Sequence, residues 1–339
     1  MLRPGGTGED QDDMAATARI VVMRSALSAE EVALGMVPAG CELALAKAGT
    51  PEFLSALAGA DCLVGFGDPA VDDAAYRAAP NLKLYQLLSA GYDRCDIEAA
   101  RRAGVPICNN GGANSTAVAE HAVMLMLAVS RRLVWQHQSV AAGRWRGNDL
   151  AGTKLYELRG KTLGIVGLGA IGKKVARLAA AFGMAVLYYD LRRLSEDAED
   201  ALGVRFRLLN EVLRASDIVS LHVPLTPASR RMIGAGDLAL MKPTAYLINT
   251  CRGPVVDEAA LVAALSDGRI AGAGLDVFEE EPPPADDPLF SLPNVVLTPH
   301  FAGPTWDNQA ARFRNAFDNC QRVARGEKPL WVIPELAAG

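Results

Sequence analysis

Thr162-Leu163-Gly164-Ile165-Val166-Gly167-Leu168-Gly169-Ala170-Ile171-Gly172 decides the fold of this 339-residue chain. An apolar, β-prone run ends in Gly-x-Gly-x-x-Gly, and an Ala-rich helical stretch, Gly172–Phe182, follows at once. In that setting each glycine has a task. Gly167 permits the tight turn, Gly169 lets the backbone approach a pyrophosphate, and Gly172 lets the helix pack close to the strand. The helix N-terminus, with Ala170 and Ile171 in its first turn, offers free N–H groups and a positive dipole end.

The next apolar run, Ala185–Asp190, ends in an acid about 20 residues past the turn. Such an acid binds a ribose 2′-OH and repels a 2′-phosphate. Asp190 therefore favours NAD over NADP, while Arg192 and Arg193 beside it pull the other way.

Outward from this unit, short β-rich runs alternate with helical stretches, the pattern of a parallel sheet with crossover helices. Before the turn, Arg19–Met23, Glu42–Ala46, Cys62–Phe66, Leu82–Leu88 and Val105–Asn109 read as strands. Ala117–Arg132 reads as one helix, and residues 142–158 as irregular around Gly143, Trp145, Gly147 and Gly152. After it come Thr162–Val166, Ala185–Asp190, Asp217–Val223, Ala245–Cys251, Gly272–Val277 and Asn294–Thr298. Asp257–Asp267 reads as a crossover helix, Glu281–Pro288 as a loop, and Thr305–Arg325 as a last amphipathic helix. The fold class is α/β, with two doubly wound Rossmann-like domains. Residues 1–16 read as a flexible tail.

Composition narrows the function. Half the residues are hydrophobic, enough for two cores, and the net charge of −5 comes without a long basic run, so no nucleic-acid partner is suggested. The longest apolar stretch, Ala122–Val129, is too short to span a membrane, and no leader-type segment opens the chain. Six scattered cysteines show no Cys-x-x-Cys pair, which leaves no metal site and points to a reduced, cytoplasmic protein.

Ligands of doubly wound sheets sit beyond the C-terminal ends of the strands. Arg252 stands there with a planar fork suited to a carboxylate and its neighbouring carbonyl oxygen. His300, after the last strand, is the residue type that exchanges protons near neutral pH. Glu281 can fix the tautomer of that histidine. Each has an ordinary explanation alone: a surface ion pair, a turn residue, a solvated acid beside Glu279 and Glu280. Together, on the edge that carries the dinucleotide turn, they read as a catalytic set. Hydride transfer would be the work of the nicotinamide.

At this point the chain resembles the D-isomer-specific 2-hydroxyacid dehydrogenases. The resemblance rests on Ser89-Ala90-Gly91-Tyr92-Asp93, Val118-Ala119-Glu120, the Gly167–Gly172 turn, Asn249-Thr250-Cys251-Arg252-Gly253, Asp276-Val277-Phe278 with Glu281-Pro282, and Thr298-Pro299-His300. It covers roughly residues 60–330. It implies a discontinuous, flavodoxin-like substrate domain (17–117 and 305–339), a cofactor domain (118–304), and an active site in the cleft, with closing hinges near Ala117 and Gly303–Trp306. Arg252, Glu281 and His300 become the catalytic residues. Val223, Pro224, Thr250, Cys251, Arg252, His300 and Gly303 line the cofactor, and Asp276 stands near its carboxamide. Backbone N–H groups of Ala90 and Gly91 hold the substrate carboxylate, with Arg252 and His300. A homodimer through the cofactor domain is implied.

Cys251 departs from the usual Ala or Ser of the family and reads as a small buried hydrophobe rather than a redox group. Two other readings stay open: an NAD-sensing corepressor-like binding protein, and a formate- or phosphite-type dehydrogenase. The formate enzymes carry glutamine where Glu281 stands and are longer.

Overall fold

The computed structural model describes residues 17–25, 30–145 and 153–337; the expected tail, Gly147 and Gly152 lie outside them. The chain divides into two compact units. One takes in the described residues up to Gly111 together with those from Gln309 onward, and the other is Gly112–Asn308. The sequence placed the breaks after residues 117 and 304.

The first unit is a parallel sheet of five strands: β1 (Arg19–Met23), β2 (Glu42–Ala46), β3 (Cys62–Gly65), β4 (Leu84–Leu87) and β5 (Ile107–Cys108). Their spatial order is β2-β1-β3-β4-β5, the flavodoxin-like order. Alternation along β1 sorts the core. Val21 and Met23 pack with Phe53, Leu57 and Tyr85 on one face, while Ile20 and Val22 pack with Phe313, Phe317 and Cys320 on the other. The last two phenylalanines stack at 5.7 Å and belong to the helix Trp306–Ala324, so the end of the chain roofs a sheet begun at residue 19. A further segment returns to β5, where Asn109 N–H donates to the Trp331 carbonyl at 3.0 Å and Ile333 N–H to that of Ile107 at 2.9 Å.

The second unit has seven parallel strands: β6 (Thr162–Val166), β7 (Ala185–Tyr189), β8 (Val204–Phe206), β9 (Ile218–Leu221), β10 (Tyr246–Asn249), β11 (Gly272–Leu275) and β12 (Val295–Leu297). The order β12-β11-β10-β9-β6-β7-β8 reverses direction between β6 and β9. That reversal opens a crevice at the C-terminal edge, where doubly wound sheets take their ligands. Strands β9, β10 and β11 are buried along their whole length, as a sheet covered on both faces requires. One cover is the helix Ser115–Ser130, whose Leu125 packs against Gly274 of β11.

Two elements differ from the sequence reading. Strand β8 was missed because Val204-Arg205-Phe206 is too short a run to read as a strand; pairing of Val204 with Val186 of β7 makes it one. A separate helix, Leu133–Ala141, follows the expected one, broken from it by Arg132 in a left-handed conformation at φ 51°.

Candidate active site

The glycine turn is built as its sequence demands. Gly167 has φ +96°, and a β-carbon on it would stand 2.6 Å from the His222 carbonyl oxygen. A β-carbon on Gly172 would stand 2.3 Å from the Gly167 oxygen. Gly169 is different: nothing lies within 4 Å of where its β-carbon would be. The protein itself does not need glycine there, but a pyrophosphate approaching the backbone does. The helix Ala170–Ala181 begins directly after it without a side-chain cap, leaving its first N–H groups, those of Ala170 and Ile171 among them, for a ligand. These residues fit a dinucleotide.

Asp190, at the end of β7, accepts from the Leu168 N–H at 2.7 Å and from the Arg192 N–H at 3.0 Å. One carboxylate thus ties the turn to the neighbouring strand and puts negative charge beside it. Arg193 is committed elsewhere: its Nε donates to Glu199 at 3.0 Å and its guanidinium lies 5.6 Å from the Phe206 ring. Val223, after β9, packs against the Gly167 turn, and the Pro224 carbonyl accepts from the Ser229 hydroxyl at 2.6 Å. His222 bonds Ser220 through Nε2 at 2.9 Å, and burial lowers its pKa to about 4, so it is neutral.

Beyond β10, buried Asn249 shapes the turn that carries Arg252. Its amide donates to the Arg252 carbonyl at 2.9 Å, and its oxygen accepts from the Cys251 N–H and thiol at 3.0 and 3.1 Å. Burial pushes the Cys251 thiol up to about 11, which leaves it protonated and unreactive at neutral pH. The Thr250 hydroxyl is buried with no partner among the described residues. Gly253 is fixed by contact: a β-carbon there would lie 1.8 Å from the Phe278 carbonyl oxygen.

The expected catalytic pair, Glu281 and His300, stands after β11 and β12. His300 Nδ1 lies 2.6 Å from Glu281 Oε2, and the other Glu281 oxygen accepts from the Phe278 N–H at 3.1 Å. Burial raises the Glu281 pKa, but the His300 bond, the charge of that ring, the Phe278 N–H and Arg252 together hold it below the usual carboxylate range. Glu281 is therefore an anion at neutral pH. As an anion it accepts from a proton-bearing Nδ1, so Nε2 is the ring nitrogen that Glu281 does not engage.

His300 has φ +58°, a left-handed conformation that costs a β-carbon-bearing residue about 1 kcal/mol or more. Asp276 holds it there. Its backbone oxygen accepts from the His300 N–H at 2.8 Å. Its fully buried carboxylate accepts from the Thr298 hydroxyl at 2.6 Å and from the Phe301 and Ala302 N–H groups at 3.0 and 2.9 Å. His121 completes the set, 2.9 Å from Thr298 Oγ1 and 3.4 Å from Asp276. Burial alone would raise the Asp276 pKa, yet the bonds from His121, Thr298 and Ala302 bring it below the ordinary value. Gly303 sits just beyond, its carbonyl accepting from Asn308 at 2.8 Å.

All the expected cofactor and catalytic residues of this unit thus gather at or just beyond one edge of its sheet. The substrate residues Ala90 and Gly91 belong to the other unit, directly after β4. Asn249, Thr298 and His121 were missed as supports. Asn249 had a signal, since an Asn at a strand end readily closes a turn. His121 had none, because its partner stands 177 residues away. Among the described residues no cluster of His, Cys, Asp or Glu could hold a metal, and no helix is long and apolar enough to cross a membrane.

Comparison with known proteins identifies the family. Residues 123–302 match the D-isomer specific 2-hydroxyacid dehydrogenase NAD-binding domain. The glyoxylate reductase of Korarchaeum cryptofilum is 44% identical over 79% of this chain and 81% of its own. The crystal structure of a glyoxylate reductase from Paecilomyes thermophila superposes with a TM-score of 0.81 at 30% identity, covering 94% of this chain and 99% of that one. An acyclic imino acid reductase in complex with NADPH and D-Arg gives 0.79 at 27%, covering 93% and 99%. The chain belongs to the D-isomer-specific 2-hydroxyacid dehydrogenases and is an NAD-dependent enzyme of that family.

Asp276→Asn tests the clamp, since an amide NH2 would face N–H donors. The variant is expected to lose about 2–3 kcal/mol of stability in urea unfolding, with turnover falling about tenfold or more as His300 leaves its place.

Proposed function

We propose that the enzyme interconverts a small 2-oxo acid of the glyoxylate class and its D-2-hydroxy acid, with NADH preferred over NADPH. The observation that carries this is the Glu281–His300 pair at 2.6 Å on the edge that holds Arg252 and the glycine turn. The nicotinamide, when bound, supplies or accepts the hydride. His300 Nε2 gives a proton to the substrate carbonyl oxygen in reduction and takes it back in oxidation. Glu281 keeps that ring oriented and stabilises its charged form. Arg252 and the N–H groups of Ala90 and Gly91 bind the carboxylate. Thr250, Cys251, Asp276 and Gly303 complete the cofactor surface in this reading, Asp276 chiefly by holding the loop. A carboxylate at Asp190 supports the NADH preference. Six free thiols suit a reducing cytoplasm.

The relatives named as glyoxylate reductases support the substrate class. His300→Ala is expected to lower turnover of glyoxylate at least a hundredfold while leaving NADH affinity, read by fluorescence titration, near wild type. Unchanged turnover would remove His300 from the mechanism. A wild-type protein oxidising NADH with no 2-oxo acid would favour a nucleotide-sensing role, and faster formate-driven NAD reduction a formate dehydrogenase.

Asp190→Ala is expected to lower kcat/KM with NADH about tenfold or more and to narrow the gap to NADPH. Equal use of both cofactors by the wild type would overturn the preference.

We also propose a homodimer through the cofactor-binding unit. An apolar groove of about 460 Å³ runs along the helix Ser115–Ser130, lined by Val123, Met124, Leu127, Leu133 and Leu178. Met124 and Leu133 are about half exposed, at 45% and 55%, beside exposed Val134 and Val140. Exposed apolar side chains lining one groove are what a self-complementary subunit contact would cover. Met124→Glu with Leu133→Glu is expected to yield monomers in sedimentation equilibrium; a monomeric wild type would exclude the proposal.

A further inference from the structure

The helix Trp306–Ala324 docks on the sheet of the first unit through a ladder of polar side chains. Asn319 donates to Gln86 Oε1 at 2.7 Å, Asn315 to the Asn110 carbonyl at 2.9 Å, and Arg312 Nε to the Leu88 carbonyl at 2.6 Å. The two asparagines dock the helix with neutral groups. Arg312 brings a charge that docking does not require.

That charge is 3% exposed and its Nη1 has no hydrogen-bond partner among the described residues. No carboxylate pairs with it among the described residues; its neighbours are the Leu88 carbonyl and the Phe66 ring, 5.0 Å from the guanidinium. Burial alone bears on it and lowers its pKa to about 10, so it remains a cation at neutral pH. An uncompensated buried cation is costly, and its usual resolution is an anion. Leu88 leads directly into Ser89-Ala90-Gly91, a half-exposed loop at the C-terminal edge of the sheet. The Asn110 N–H holds the Ser89 carbonyl at 3.0 Å, and the Ser89 hydroxyl holds that of Gly91 at 2.8 Å. The N–H groups of Ala90 and Gly91 donate to no group among the described residues. Unspent donors and an unpaired cation thus stand at the two ends of one short segment.

We propose that Arg312 is an anion-binding residue for the substrate, supplying the positive charge beneath a carboxylate gripped by the Ala90 and Gly91 N–H groups. This rests on the 2-oxo acid reading above. It adds a carboxylate subsite, built wholly within the first unit, to the one expected at Arg252.

Arg312→Met and Arg312→Lys separate charge from packing. In the NADH-loaded enzyme, R312M is expected to raise KM for glyoxylate about tenfold or more with kcat within about threefold, and to abolish most of the Tm rise that oxalate gives the wild type. R312K, which keeps the charge without the forked geometry, is expected to restore part of both. An unchanged KM and oxalate shift in R312M would overturn the inference, as would an R312K no better than R312M. Should R312M fail to fold, Arg312→Gln, which keeps a donor for Leu88, carries the same readouts. If the wild type turns over no 2-oxo acid, the hydroxy-acid reading fails, and the oxalate shift still decides Arg312.

Discussion

A buried carboxylate organises the candidate site of this enzyme. Asp276 leaves strand β11 at zero exposure, and an isolated charge there would be costly. It is supported instead by one hydroxyl and two backbone N–H groups, all from the segment after β12, with His121 alongside. The same bonds that make the charge tolerable fix the path of residues 298–302. The positive φ of His300 follows from that path, and the reach of its ring to Glu281 follows from the positive φ. Because hydrogen bonding keeps the Asp276 pKa below normal, this support is fully present at neutral pH and fails only as the pH falls through that lowered value.

The fold was largely legible because its signals are local. A Gly-x-Gly-x-x-Gly between strand and helix, and an acid at the next strand end, need only a 30-residue window. The strands of both sheets were readable as continuous apolar runs, since sheets buried on both faces need no alternation. Strand β8 was not readable: it owes its conformation to pairing with β7 more than to its own three residues. The helix Leu133–Ala141 escaped because a backbone break at Arg132, rather than any glycine or proline, separates it from the preceding one.

The candidate site was readable by residue type and less so by support. Arg252, Glu281 and His300 stand out by residue type beyond the strand ends. Asp276 is expected near the cofactor, and its carboxylate also holds the Thr298 hydroxyl and the Phe301 and Ala302 N–H groups of the loop that bears His300. Arg312 gave no signal, because in the sequence it is one more arginine on an amphipathic helix beside Arg314. Its burial depends on which face of that helix meets the sheet, and the pattern around it is mixed enough to hide this.

Gly253 has an implication for how such an enzyme can change over time. With the Phe278 carbonyl 1.8 Å from any β-carbon, the turn bearing Arg252 and the segment leading to Glu281 are locked at fixed separation. Insertions or larger residues on that side would disturb both ends of the proposed acid–base machinery at once. The Ser89-Ala90-Gly91 loop after β4 is half-exposed. New substrate preferences would therefore accumulate around residues 89–96, leaving the half proposed to handle protons almost frozen.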